Sequence, residues 1–206
     1  MVVDRGGLER VTGYAACLVP GMVKSQSLLS AAFAGLAGGA AGLLAMNFVM
    51  KQTGKLLPED SKRELPEGES PSWSLVGEHH QADESATAAL GRAGYEQLIG
   101  RQPSKQRKQQ LGQIVHWSYG LAVGTLFGLI RGRQRSAPVD AFGGLSYGFG
   151  LWLLGDMIAV PMLGLSDKPA RYVPQVHAQT LIGHFAYGLA AAAATRAVRK
   201  LLPGGG

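Results

Sequence analysis

No charged side chain occurs over the 23 residues from Leu28 to Met50. An α-helix rises 1.5 Å per residue, so this run reaches roughly 34 Å and crosses the ~30 Å hydrocarbon core of a bilayer. Inside lipid the backbone must satisfy its own polar groups, which a single run does only as a helix. A cleaved export signal has a shorter apolar region, of about 7–15 residues, so a retained span is expected.

Three further apolar runs follow, at about 113–130, 141–164 and 177–197. The expected fold is therefore all-α: an integral membrane bundle of four transmembrane helices, with residues 28–200 as one domain. Residues 1–27 read as a tail, since the mildly apolar stretch from Val11 to Val23 is broken by Pro20 and Gly21. A polar loop, 51–112, separates the first two spans. Pro58, Pro66 and Pro71 punctuate its charge-rich half, which reads as irregular solvated chain. Ala86, Ala89, Leu90 and Ala93 then mark a weakly amphipathic helix at about 85–99, placed at the membrane surface or capping the bundle.

The mean hydropathy of +0.07 looks ordinary only because the charge is unevenly spread. Nine of the 14 acidic residues lie between Glu59 and Glu96. Many basic residues instead close apolar runs, as Arg131, Arg133 and Arg135 do after the second and Arg196, Arg199 and Lys200 after the fourth. Cytoplasmic flanks of membrane helices have that bias, so both termini are expected inside. The net charge of +6 is accounted for in this way. No basic stripe interleaved with aromatics points to nucleic acid. The lone Cys17 excludes an internal disulfide and a cysteine-based metal cluster.

Thirty glycines would be costly in a soluble helical protein, at about 1 kcal/mol each relative to alanine. In membrane helices they permit close backbone approach. Gly35 and Gly39, with the offset Gly38 and Gly42, pattern the first span. Gly120, Gly124 and Gly128 pattern the second, and Gly144 and Gly148 the third. Residues four apart share a face, so each series makes a groove. Packing inside the bundle is favoured over a homodimer seam, because three helices of one chain present such grooves.

Four ionisable residues fall in or at the edge of the spans: His116, Asp156, His177 and His184. Such groups in lipid cost several kcal/mol unless paired or wetted. Counted from the connection between the third and fourth spans, Asp156 and His184 sit at one depth, about 10–12 Å in. His116, His177 and Asn47 form a shallower layer at the same end. Thr180, His184, Gly188 and Ala191 follow His177 along one helix face. Pro161 lacks an N–H and disturbs the turn holding Met157. The arrangement fits a structural Asp156–His184 fastening, or a proton- or ion-handling site, since histidine beside a carboxylate is a proton acceptor near neutral pH. A metal site is disfavoured without an HxxxH or HExxH pair, and no metal or cofactor is expected. His79 and His80, in the polar loop, read as solvated.

The run Leu151-Trp152-Leu153-Leu154-Gly155-Asp156, then Ala159, Pro161 and Leu163-Gly164-Leu165-Ser166, resembles the signature of the YagU-like bacterial inner-membrane proteins. Val115-His116 with Tyr119-Gly120, and His177 with His184 and Tyr187-Gly188, are similar to the same pattern. The resemblance covers roughly residues 28–50 and 85–200. Many relatives have Asp-Glu where this chain has Asp156-Met157, which removes a second carboxylate. The resemblance implies a multi-pass protein of the bacterial inner membrane and transfers no activity. The function expected is that of a non-enzymatic accessory or envelope-stabilising bundle. The alternative is a small proton- or ion-linked transporter or channel using the Asp/His cluster. The expected partners are the lipid bilayer and either a second copy or another membrane protein.

Overall fold

The computed structural model describes residues 28–57, 61, 73–81, 84–131 and 136–202, and within them the protein is all-helical. The 1–27 tail and most of the proline-rich half of the loop lie outside the described residues. Helix α1 spans Leu28–Thr53, α2 Ala86–Ile99, α3 Lys105–Arg131, α4 Ala137–Met162 and α5 Pro174–Leu201. The apolar run of α3 begins near Gln113, but the helix starts eight residues earlier. Its polar first two turns, Lys105–Gly112, are held by α2, where Gly91 and Ala88 meet Leu111 and Gly112. Ser85 caps α2 by accepting a hydrogen bond from the Ala88 N–H, and Gly100 ends it at a φ of 74°.

Helices α1, α3, α4 and α5 form one bundle. α1 lies between α3 and α5, and α5 lies between α1 and α4. Sequence neighbours run antiparallel, since Gly35 meets Gly128 while Leu43 meets Gly120 further along, and Gly144 meets Ala192 while Gly148 meets His184. The glycine series are used between the chain's own helices. A Cβ on Gly35 would lie 2.6 Å from the Gly124 carbonyl oxygen and 2.8 Å from the Gly128 Cα. Gly38 and Gly42 face Ala191 and Tyr187 of α5, and Gly144 and Gly148 face Gly188 and His184. α3 and α4 stand further apart and meet through side chains. The Phe127 and Tyr147 rings lie 4.9 Å apart, and the Tyr147 hydroxyl donates to the Val123 carbonyl at 2.7 Å. The Tyr187 hydroxyl crosses the centre to the Gly120 carbonyl at 2.6 Å, in a core built on Leu43, Tyr187 and Ala191.

The interior is thus small and the exterior large and apolar. Phe33, Leu44, Phe48, Ile114, Phe142 and Leu154 all point outward and are exposed. Water would penalise that arrangement, whereas lipid tails do not. Three helices are long and apolar enough to cross a membrane: α1 with its short extension, α3 and α4. α5 is as long but less apolar, because it contains Gln179, His184, Arg196, Arg199 and Lys200.

One reading of the polar connections needs correction. His80 is not solvated. Its Nε2 lies 3.2 Å from the Asp167 carboxylate and its Nδ1 3.2 Å from the Gly164 carbonyl. The surrounding segment, 73–81, is strapped across the α4–α5 connection, with the Leu75 and His79 N–H groups donating to the Met162 and Gly164 carbonyls. Gly164 is required there, because its φ is 65° and a Cβ would run into the Gly77 carbonyl. The disturbance expected before Pro161 is wider than one turn: Trp152–Ala159, which includes Met157, is wound as a π-helix eight residues long.

Candidate functional site

The widened π-helical turns of α4 carry Trp152 and Asp156 four residues apart. α5 carries Thr180 and His184 at the same spacing, and the two pairs face each other across the α4–α5 seam. The Trp152 indole donates to the Thr180 hydroxyl at 3.0 Å, which itself donates to the His177 carbonyl at 3.2 Å. The nearest Asp156 oxygen lies 3.7 Å from His184 Nδ1. That nitrogen is 2.9 Å from the Thr180 carbonyl. A carbonyl only accepts, so Nδ1 carries a hydrogen and the neutral ring leaves Nε2 as a proton acceptor.

α3 and α1 flank the pair. Tyr119 lies within electrostatic reach of Asp156, and its hydroxyl is 3.8 Å from where a Cβ on Gly155 would stand. His116 Nε2 donates to the Asn47 side-chain oxygen at 3.1 Å and lies within electrostatic reach of His184. The Asp156 side chain is 35% exposed while that of His184 is 11% exposed. The carboxylate therefore sits at the edge of the bundle and the imidazole inside it.

His177 is not part of this level. Its Nε2 donates to the Pro169 carbonyl at 2.9 Å, and its ring stacks edge-on against Tyr172, so it braces the start of α5 beneath the α4–α5 connection. Among the described residues no three His, Cys, Asp or Glu side chains converge to hold a metal ion. Sequence reasoning passed over Tyr119 and Trp152. The signals for them were their place in the resembled motif and their spacings, three residues from His116 and four from Asp156, which put each pair on one helix face.

A second set of charges, at the opposite end, also went unrecognised. Asp140, in the first turn of α4, accepts from Arg131 of α3 at 2.5 Å and from Arg196 of α5 at 2.7 Å. Arg199 is buried and donates to the Gly128 carbonyl. At the loop end, Glu84 receives Arg92 at 3.1 Å and Lys108 at 3.4 Å, and Arg92 also reaches Glu96. Burial alone would raise the Glu84 carboxyl. The Arg92 and Gln81 hydrogen bonds and the two cations more than offset that, and hold it below its usual value. The hydrogen bond to Glu84 correspondingly holds Arg92 above its usual value, against the effect of burial.

Compared with known proteins, the chain matches no family model, no curated protein and no solved structure.

Proposed function

We propose that the chain is a four-span, non-enzymatic protein of the bacterial inner membrane whose working element is a proton-exchanging Asp156–His184 pair. The four-span reading is supported by the packing of α5. It lies antiparallel between α1 and α4, two helices fit to cross a bilayer, and presses its backbone into their glycine grooves. Its polar groups turn inward, with Gln179 donating to the Met50 carbonyl and Thr195 to the Ala34 carbonyl. The resemblance to YagU-like proteins supports the bacterial inner membrane as its place.

One observation favours proton exchange over simple fastening: Asp156 and His184 share a level but are 3.7 Å apart, beyond a direct hydrogen bond. A pair that merely fastened two helices in lipid would be expected to close that distance, since an unsatisfied carboxylate there costs several kcal/mol. A gap of this size suits a bridging water, with Tyr119 beside it. Nδ1, which faces the acid, already donates to Thr180, so the ring gains a proton at Nε2 and releases one from Nδ1 toward Asp156.

The test is proton movement in proteoliposomes containing a pH-sensitive dye. Wild type is expected to dissipate an imposed pH gradient, and a correctly folded Asp156→Asn/His184→Gln protein is expected not to. Equal rates for the two would remove proton exchange and leave the alternative, an accessory bundle in which the pair is structural.

A further inference from the structure

A cleft of about 660 Å³ opens along the α2–α3 hairpin, outside the apolar part of α3. Its size falls within the ~300–1,000 Å³ of small-molecule sites. We propose that it binds a phosphate ester, presented at this depth as the headgroup of an anionic phospholipid. The lining carries Arg92, Lys105 and Lys108; Glu84 and Glu96 engage Arg92 and Glu84 engages Lys108, while Lys105 has no acid beside it among the described residues. Glu84 is already neutralised by Arg92 and Lys108, and its side chain is wholly buried. The side chains of Lys105, Gln109 and Gln113 make no hydrogen bond or ion pair among the described residues. They leave an ammonium and amide N–H donors directed at the space between the helices. Acceptor-only phosphate oxygens match that donor set.

The position of the cleft selects an ester with a lipid tail. Its inner end is formed by Gly112 and Gln113, and the next residue, Ile114, is 61% exposed on the outer surface of α3. A headgroup seated among Lys105, Lys108 and Gln109 thus has its acyl chains directed down the apolar outside of the bundle. Leu98, 85% exposed at the end of α2, gives the hairpin a second apolar foothold in the same interfacial layer.

The inference rests on the bilayer placement above and is independent of proton exchange at Asp156. The full chain is delipidated in detergent and offered phosphatidylglycerol or phosphatidylcholine, and bound lipid is counted by native mass spectrometry. Wild type is expected to retain phosphatidylglycerol preferentially. Lys105→Glu and Gln109→Leu, each checked for unchanged circular dichroism, are expected to bind it about tenfold and severalfold more weakly. Lys200→Glu, at the far end of the bundle, is expected to bind as wild type does. Added glycerol 1-phosphate separates the sources. Failure to displace the lipid identifies the membrane as the source, and displacement shows that the phosphate ester alone suffices. Equal uptake of the two lipids, or wild-type uptake by both cleft variants, overturns the site. Failure of the bilayer placement is read separately, as loss of the chain from the membrane fraction.

Discussion

Nδ1 of His184 donates to the Thr180 carbonyl at 2.9 Å while the Asp156 carboxylate waits 3.7 Å from the same nitrogen. The imidazole is oriented by its own helix and not by the acid. Its position should therefore survive loss of Asp156, whereas the acid depends on the small residues that bring α4 against α5. Gly148 is central to that approach, because a Cβ there would strike the His184 carbonyl.

Thr180→Val removes the acceptor of the Trp152 indole and leaves that N–H unpaired inside the bundle. A loss of about 1–3 kcal/mol is expected, together with a shift in tryptophan emission. Unchanged thermal stability in detergent would show that the indole finds another acceptor at no cost.

The seam between α1 and α3 should be intolerant of any side chain. A Cβ on Gly124 would lie 2.7 Å from the Gly39 nitrogen and 3.0 Å from the Gly35 carbonyl oxygen, and closer still to the Gly39 Cα. Gly124→Ala is expected to lower the detergent melting temperature, and Gly124→Leu to lower it further, with overpacking costing about 1–3 kcal/mol or more. Gly150, with nothing within 4 Å of its added Cβ, is the control. There Ala should be neutral, or stabilising by up to about 1 kcal/mol. Equal behaviour at both positions would contradict the seam.

Asp140 joins three helices at one end by accepting from Arg131 and Arg196. Asp140→Asn leaves two arginines facing each other over a neutral amide and is expected to cost about 1–3 kcal/mol. A double-mutant cycle with Arg196→Gln should show positive coupling. Additive effects would mean the carboxylate is satisfied elsewhere.

The Glu84 network predicts an acid-sensitive hairpin. The folded carboxyl lies below its ordinary value of 4.5, so its contribution is complete above that pH and is lost as pH falls through the lower folded value. Wild type should therefore be more stable than Glu84→Gln at neutral pH. The two melting curves should converge only below about pH 4.5. Convergence already near pH 6–7 would place the sensitivity on a histidine instead.

The proposed four-span arrangement with both termini inside predicts that a C-terminal reporter active only in the periplasm stays silent, while one active in the cytoplasm works. The reverse pattern would invert the topology deduced from Arg131 and the basic end of α5.

Composition and spacing alone determined much of this protein. An uncharged run from Leu28 to Met50 admits only a helix in lipid, and counting residues from the connection between the last two spans put Asp156 and His184 at one depth, where their side chains lie 3.7 Å apart. Glycines four residues apart must share a face. Other features depended on which faces meet. Partner choice among the glycine grooves, the width of the α3–α4 side and the inclusion of Tyr119 follow from packing in three dimensions, which periodicity along one helix does not encode. The π-helical stretch was foreshadowed only by Pro161. Along it, Trp152 and Asp156 both lie against α5. His80 was misread and Asp140 passed over for a common reason. Each finds a charge partner on another element, His80 in the α4–α5 connection and Asp140 on both α3 and α5, and an ion pair between elements leaves no periodic pattern to read.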